Sequence, residues 1–246
     1  MTPLTNNSFN VLFLIARPAA GKSEIIDFLK RTPEADRFRR FHIGPFDELD
    51  DFPMIWAWFE EDAILAKMGH PRLHTDEQGY FLHNDLWHVL IERLDLEYHK
   101  LLRDHPNYHA CRTAIIEFAR GKEHGGFAQA FQHFSEDTLR RGAILYIKVS
   151  WEESLRKNRR RFNPERPDSI LEHGLPDEKL ERLYKETDWE VFSAQDPEFI
   201  TIKGIPVPYV VFENEDDVTT ARGPELGQRL EETLNRLWKI ASKHHA

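Results

Sequence analysis

The stretch Asn10–Lys30, NVLFLIARPAAGKSEIIDFLK, constrains the chain most. An apolar run, Val11–Ile15, is too short for a helix and reads as a buried strand. Small residues and a proline follow over Ala16–Gly21, and Lys22-Ser23 opens a helix whose apolar face carries Ile25, Ile26, Phe28 and Leu29. A strand that turns tightly into a helix leaves a row of backbone N–H groups free at the helix N-terminus, which is an anion site. Ala16-Arg17-Pro18-Ala19-Ala20-Gly21-Lys22-Ser23 meets the pattern G-x-x-x-x-G-K-[ST] except at its first position, where Ala16 replaces glycine. Ala16 ends the strand, and the closest backbone approach falls on Ala20, Gly21 and Lys22. In such a loop the lysine supplies a point charge for terminal phosphates and the Ser23 hydroxyl is placed for Mg²⁺.

The rest of the chain alternates short apolar strands with helical intervals. Phe38–Ile43 reads as a second strand broken by Gly44-Pro45, and an acidic stretch with Asp47, Glu48, Asp50 and Asp51 follows. A helix from Pro53 carries Ile55, Trp56, Phe59, Ile64 and Met68 on its face. A longer one after Asn84-Asp85 carries Leu86, Leu90, Leu94 and Leu101. Residues of about 45–110 thus form an aromatic-rich helical insertion able to enclose a small substrate. Thr113–Phe118 and Ala143–Val149 are the next buried strands, with a helix over Phe127–Arg141 between them. Ser150–Phe162 crowds Arg156, Lys157, Arg159, Arg160 and Arg161 onto one short helix, Asn163–Pro176 reads as a mobile proline-rich segment, and Asp177–Trp189 as a helix. Phe199–Ile202 and Pro208–Phe212 are strands, the latter the last of the core, and Leu226, Leu230, Leu234 and Leu237 mark a C-terminal amphipathic helix. Alternation of this kind predicts an α/β fold with a mostly parallel sheet covered on both faces, its ligands at the carboxyl ends of the strands.

Composition removes several classes. With 246 residues, 40% hydrophobic, the chain suits one domain with elaborations. A net charge of −9 argues against a general nucleic-acid or anionic-membrane surface. One cysteine, Cys111, permits no internal disulfide, and no apolar run approaches membrane-span length, so a soluble cytoplasmic protein is expected. Among 13 histidines, the pairs His70/His74 and His105/His109 have helical spacing, but Pro71 and Pro106 interrupt them and no zinc site is expected.

Three needs of phosphoryl transfer find candidates. Glu117, a carboxylate at the end of a buried strand, can hold Mg²⁺ opposite Ser23. Arg120, three residues on, faces either phosphate or a surface salt bridge. The arginine-rich helix can close as a lid over about 150–190, excluding water and neutralising charge, with Arg156, Arg159 and Arg160 sharing neighbouring faces. A carboxylate must align the acceptor hydroxyl or take its proton. Asp47 is the first candidate and Asp50 the second.

These segments resemble a P-loop kinase of the nucleoside/nucleotide, adenylate-kinase-like group. The resemblance rests on ARPAAGKS, the strand-end acid of IIEFARG, the SWEESLRKNRRR helix, and PYVVFENEDD as a final strand whose following loop lies near the adenine. It implies a single domain with a three-layer α/β/α P-loop NTPase fold, a mostly parallel five-stranded sheet, and Mg²⁺-ATP as donor. Residues contacting the nucleotide would be Arg17, Pro18, Ala19 and Ala20 ahead of Gly21-Lys22-Ser23-Glu24, together with Arg120. Lys22, Asp47, Arg156, Arg159 and Arg160 would carry catalysis, with Ser23 and Glu117 on the metal. The acceptor would be a small molecule, with nucleosides and nucleotides among the candidates, and the protein a monomer or homodimer. An ATP-binding regulator or ATPase without an acceptor is the alternative, and a protein-interaction domain on a relict loop, favoured only by Ala16, a third.

Overall fold

A computed structural model describes residues 7–161 and 175–245. Six strands form one sheet: β1 (Val11–Ala16), β2 (Phe46–Asp50), β3 (Thr113–Phe118), β4 (Gly142–Lys148), β5 (Phe199–Ile202) and β6 (Ile205–Glu213), in the order β2-β3-β1-β4-β6-β5. All neighbours are parallel except β5 and β6. The helices are α1 (Lys22–Arg31), α2 (Glu34–Phe41), α3 (Phe52–Lys67), α4 (Leu86–Asp104), α5 (Gly126–Phe131), α6 (Glu136–Arg140), α7 (Trp151–Arg161), α8 (Asp177–Tyr184), α9 (Trp189–Phe192), α10 (Val218–Ala221) and α11 (Pro224–His245). None of the described helices is long and apolar enough to cross a membrane.

β1 is fully buried because it is central and apolar on both faces. Its pleat divides it: Leu12, Leu14 and Ala16 pack under α1 and α11, whose Leu226, Leu230, Leu234 and Leu237 are all inaccessible. Val11, Phe13 and Ile15 pack under α4, α5 and α6 on the other side. Two helical layers thus cover one sheet. A third apolar cluster joins Ile55 of α3, Trp87 and Leu90 of α4, and Leu180, Leu183 and Tyr184 of α8.

The sheet differs from expectation at both edges. Phe38–Ile43 is not a strand. α2 runs through Phe41, with Glu34 and Asp36 in its first turn, Arg39 and Arg40 in its last, and the buried Arg37 and Phe41 on its inner face. Those charges suit a helix dipole. The second strand is instead Phe-Asp-Glu-Leu-Asp, whose three acids disfavour a strand on propensity. Pairing with β3, from Phe46 against Thr113 to Asp50 against Glu117, holds it at the sheet edge. At the other edge Lys203 (φ 51°) and Gly204 (φ 77°) make a two-residue turn with both φ positive, which closes β5 onto β6 as a hairpin. The sheet therefore has six strands rather than five.

Two expected helices are interrupted. Ser135 caps α6, accepting from the Thr138 amide, and splits Phe127–Arg141 into α5 and α6. α8 ends at Tyr184 and α9 begins only at Trp189. Ile64 of α3 and Met68, which follows its last residue, are exposed. Asn163–Pro176 lies outside the described residues but for its last two.

Candidate functional site

The order of strands places β1 between β3 and β4, so the chain leaves it to opposite sides. In open α/β sheets that switch point, at the carboxyl ends, is where a crevice forms. The loop from β1 to α1 lies there. It turns through left-handed backbone at Ala19 (φ 56°) and Gly21 (φ 116°). Glycine is required at 21: a Cβ there would stand 2.6 Å from the Thr219 hydroxyl and 3.0 Å from the Asn214 amide nitrogen.

The loop's carbonyls are held from behind. The Asn214 amide donates to Ala20 O (2.8 Å), and the Ser154 hydroxyl donates to Pro18 O (2.8 Å). Thr219 ties into this bracket through Asn214 and through Lys157, whose ammonium donates to its hydroxyl at 3.0 Å. Arg17 reaches away, its Nη1 donating to the carbonyls of Tyr184 (2.5 Å) and Lys185 (2.6 Å). With the carbonyls engaged, the amides of Gly21, Lys22 and Ser23 donate to no group among the described residues. Free amides at the N-terminus of a ten-residue helix, with Lys22 beside them, make a concentrated positive pole.

Lys22 and Ser23 open on a cavity of about 120 Å³. Pro18, Ala19, Lys22 and Ser23 form one wall, and Asp50, Asp51 and Glu117 from the ends of β2 and β3 another. Asn158 and Arg161 of α7, with Arg120 and Tyr184, complete it. Asp50 and Glu117 face each other across the strand pair, within hydrogen-bonding reach. Burial, then the Asp50 charge, holds the Glu117 carboxyl well above the usual range, while the Lys22 charge opposes the shift. Burial, then Asp51, raises Asp50 less. Two buried carboxyls that cannot both ionise cheaply share a proton until a cation compensates them. One oxygen of Glu117, Oε2, is buried with no partner among the described residues.

Arg120 takes the ion-pair alternative, but buried rather than on the surface. It is 1% exposed, its Nη1 donates to Asp51 (2.6 Å) and to its neighbour Ala119 O, and its Nη2 donates to Trp87 O at 3.1 Å. Its Nε has no partner among the described residues.

Asp47 is corrected. With strand two at Phe46–Asp50, Asp47 stands near its amino end, against Ala114, accepting from the Tyr108 hydroxyl (2.8 Å) and paired with Arg112. The strand-end carboxylate is Asp50. The arginine assignments are corrected too. α7 is fixed by Ser154 against the loop and by its buried Glu153, Lys157 and Asn158. Helical spacing then carries Arg161 onto the cavity side. Arg156 turns to Glu153 and Asp217, Arg159 to Asp177, and Arg160 to Asp217 and Thr220. Arg160 does line, with Glu24, Ala19 and Arg222, a separate groove of about 200 Å³ beside the loop. Spacing from Ser154 would have singled out Arg161 had the docked face been known. Nothing local marked Asn214 or Thr219.

Among the described residues no group of three or more His, Cys, Asp or Glu side chains could hold a metal ion. Glu117 with the Ser23 hydroxyl on the same cavity nonetheless fits Mg²⁺, which keeps several waters and takes only one or two carboxylates beside phosphate oxygens. The partnerless Oε2 of Glu117 is the observation that supports the fit.

No protein-family model matches the chain, and no curated protein matches it. Among solved structures, the crystal structure of an unliganded sugar kinase from Janibacter sp. HTCC2649 is similar over 96% of this chain and 97% of that one, at 12% identity and a TM-score of 0.41. Likeness at that level decides neither fold nor chemistry.

Proposed function

We propose that the chain is an ATP-dependent phosphotransferase of P-loop type, moving the γ-phosphoryl group to a small hydroxyl compound. The observation that carries this reading is the meeting, in one cavity, of Lys22 and Ser23, whose amides donate to no group among the described residues, with the Asp50–Glu117 pair. The amides and Lys22 would grip the β- and γ-phosphates, with the nucleoside end of ATP toward the groove of Arg160 and Arg222. Ser23 and Glu117 would hold Mg²⁺, which when bound neutralises charge on the terminal phosphates. Arg161 brings a further positive charge to the cavity wall, and Asn158 a neutral donor. Asp50 takes the part first expected of Asp47. Its Oδ1 accepts from the Phe52 amide (3.0 Å), which orients the carboxylate. The acceptor oxygen bonds to phosphorus as the bond to the β-phosphate oxygen breaks, its proton passes to Asp50, and ADP leaves with the electron pair.

A second cavity beside the first, of about 350 Å³, favours an acceptor over simple ATP hydrolysis. A product scan tests this. Mg²⁺-ATP with a panel of nucleosides, nucleotides and small alcohols is expected to give ADP and one phosphorylated compound in equal amounts. Slow ADP release indifferent to every acceptor would replace this reading with an ATPase or regulator, and absence of nucleotide binding would remove both.

A further inference from the structure

The second cavity adjoins the first directly, since Phe52, Ile55, Leu175 and Tyr184 line both. Its walls are aromatic: Trp56, Phe59, Tyr80, Phe81 and Trp87, drawn from α3, α4 and the segment between them. Flat apolar walls of this kind select a ring.

The charged groups at this cavity are already committed. Lys179 donates to Gly79 O (2.9 Å), with its ammonium 5.0 Å from the Tyr80 ring centre and 5.7 Å from that of Phe59. Arg182 donates to Glu123 (3.0 Å) and lies 4.2 Å from the Tyr80 ring centre. A doubly charged phosphate in this cavity would have to displace both sets of contacts. The cavity is thus built for an uncharged occupant.

A buried polar group of a residue lining this cavity has no partner among the described residues. His124 is 3% exposed and its ring stacks on Trp87 with centres 3.8 Å apart. Its Nδ1 accepts from the Gly121 amide at 3.4 Å, which leaves the proton of the neutral ring on Nε2. Burial, then the charge of Arg120 and the neighbouring His88, pushes this imidazole down to about 3 and keeps it neutral. His124 lines the cavity, and its Nε2 is buried with no partner among the described residues. An N–H left so is costly, and an occupant that accepts from it recovers the cost.

The geometry points to an uncharged aromatic alcohol as the acceptor, its ring between the aromatic walls and a ring or exocyclic oxygen or nitrogen accepting from His124 Nε2–H. The inference rests on the phosphotransferase reading, and names the class of compound whose hydroxyl is presented to Asp50.

The test compares 3-pyridylmethanol with benzyl alcohol, which lacks the ring acceptor, and with glycerol and glucose. Binding is followed by ligand-observed NMR without nucleotide, and phosphorylation with Mg²⁺-ATP. Wild-type protein is expected to bind 3-pyridylmethanol about tenfold tighter than benzyl alcohol, and both far better than glycerol or glucose. His124→Phe, which keeps the stack on Trp87, should reduce the tenfold preference to about twofold or less. His124→Gln, which restores a donor, should recover part of it. Equal binding of the two aromatic alcohols to wild-type protein would overturn the part given to His124, whatever the folding of the variants. Binding or phosphorylation of glycerol or glucose in preference to the aromatics would overturn the acceptor class while leaving phosphotransfer intact. Selective aromatic binding with no phosphorylated product would do the reverse, sparing the cavity's preference and defeating the phosphotransferase reading.

Discussion

Lys22→Ala is expected to lower acceptor phosphorylation by about 10²- to 10³-fold, the cost of removing one preorganised charge from a developing phosphoryl anion. Lys22 is the first residue of α1, half-buried and on the cavity wall, beside amides that donate to no group among the described residues. Its ammonium also opposes the upward shift of both Asp50 and Glu117, so its loss leaves the carboxyl pair still harder to ionise. The bracket that shapes the loop acts on carbonyls through Ser154 and Asn214 and does not use the lysine. The variant should therefore melt within about 2 °C of the wild-type protein. Single-turnover assays beside thermal melts check both halves. Retained turnover would remove the role, and a collapsed melting temperature would show that the side chain is structural.

Glu117→Gln should produce the other large loss, roughly 10²-fold in turnover at limiting Mg²⁺. Gln keeps the shape of the protonated acid but cannot ionise. Its second readout is stability without nucleotide. The folded carboxyl is held up to about 8 against 4.5 ordinarily, chiefly by burial. Between those values the folded protein keeps a proton that the unfolded chain has released. Stability from this group is thus fully present below pH 4.5 and is lost as pH rises to about 8. The wild-type melting temperature should fall over this window and that of Glu117→Gln should fall less. Asp50, raised to about 6 mainly by burial, leaves a smaller slope at the acidic end in both proteins. Parallel pH profiles would show that Glu117 ionises normally and would withdraw its assignment to the metal.

The parts of the molecule legible in the residues were those where the signal is local. β1, β3 and β4 are short, mainly apolar strands buried along nearly their whole length, and that length and composition needed no tertiary knowledge. The tight turn before Lys22 followed from small residues and a glycine at φ 116°. β2 was illegible because its acids form a strand only through pairing with β3. That one misplaced strand moved the candidate carboxylate from Asp50 to Asp47. The arginines of α7 were visible as a cluster, but their directions depend on which face docks, and a contact from Ser154 to Pro18, 136 residues apart, decides it. Arg120 could be read as an ion-pair former, yet its partner Asp51 lies 69 residues earlier, and burial of the pair follows only from α4 and Trp87 closing over it. The aromatic insertion was legible as an enclosure, and the lone donor within it was not, because an unpartnered His124 Nε2 is a property of assembled walls.

The central claim is that the backbone amides before and within the first turn of α1 bind a polyphosphate. A two-dimensional amide NMR titration of the isotopically labelled protein tests it most directly. Mg²⁺-ATP should shift the amide signals of Ala20, Gly21, Lys22 and Ser23 saturably and in concert, with Glu117 neighbours following and with AMP producing no such change. Unmoved signals at those four residues, with shifts elsewhere or none, would contradict the account.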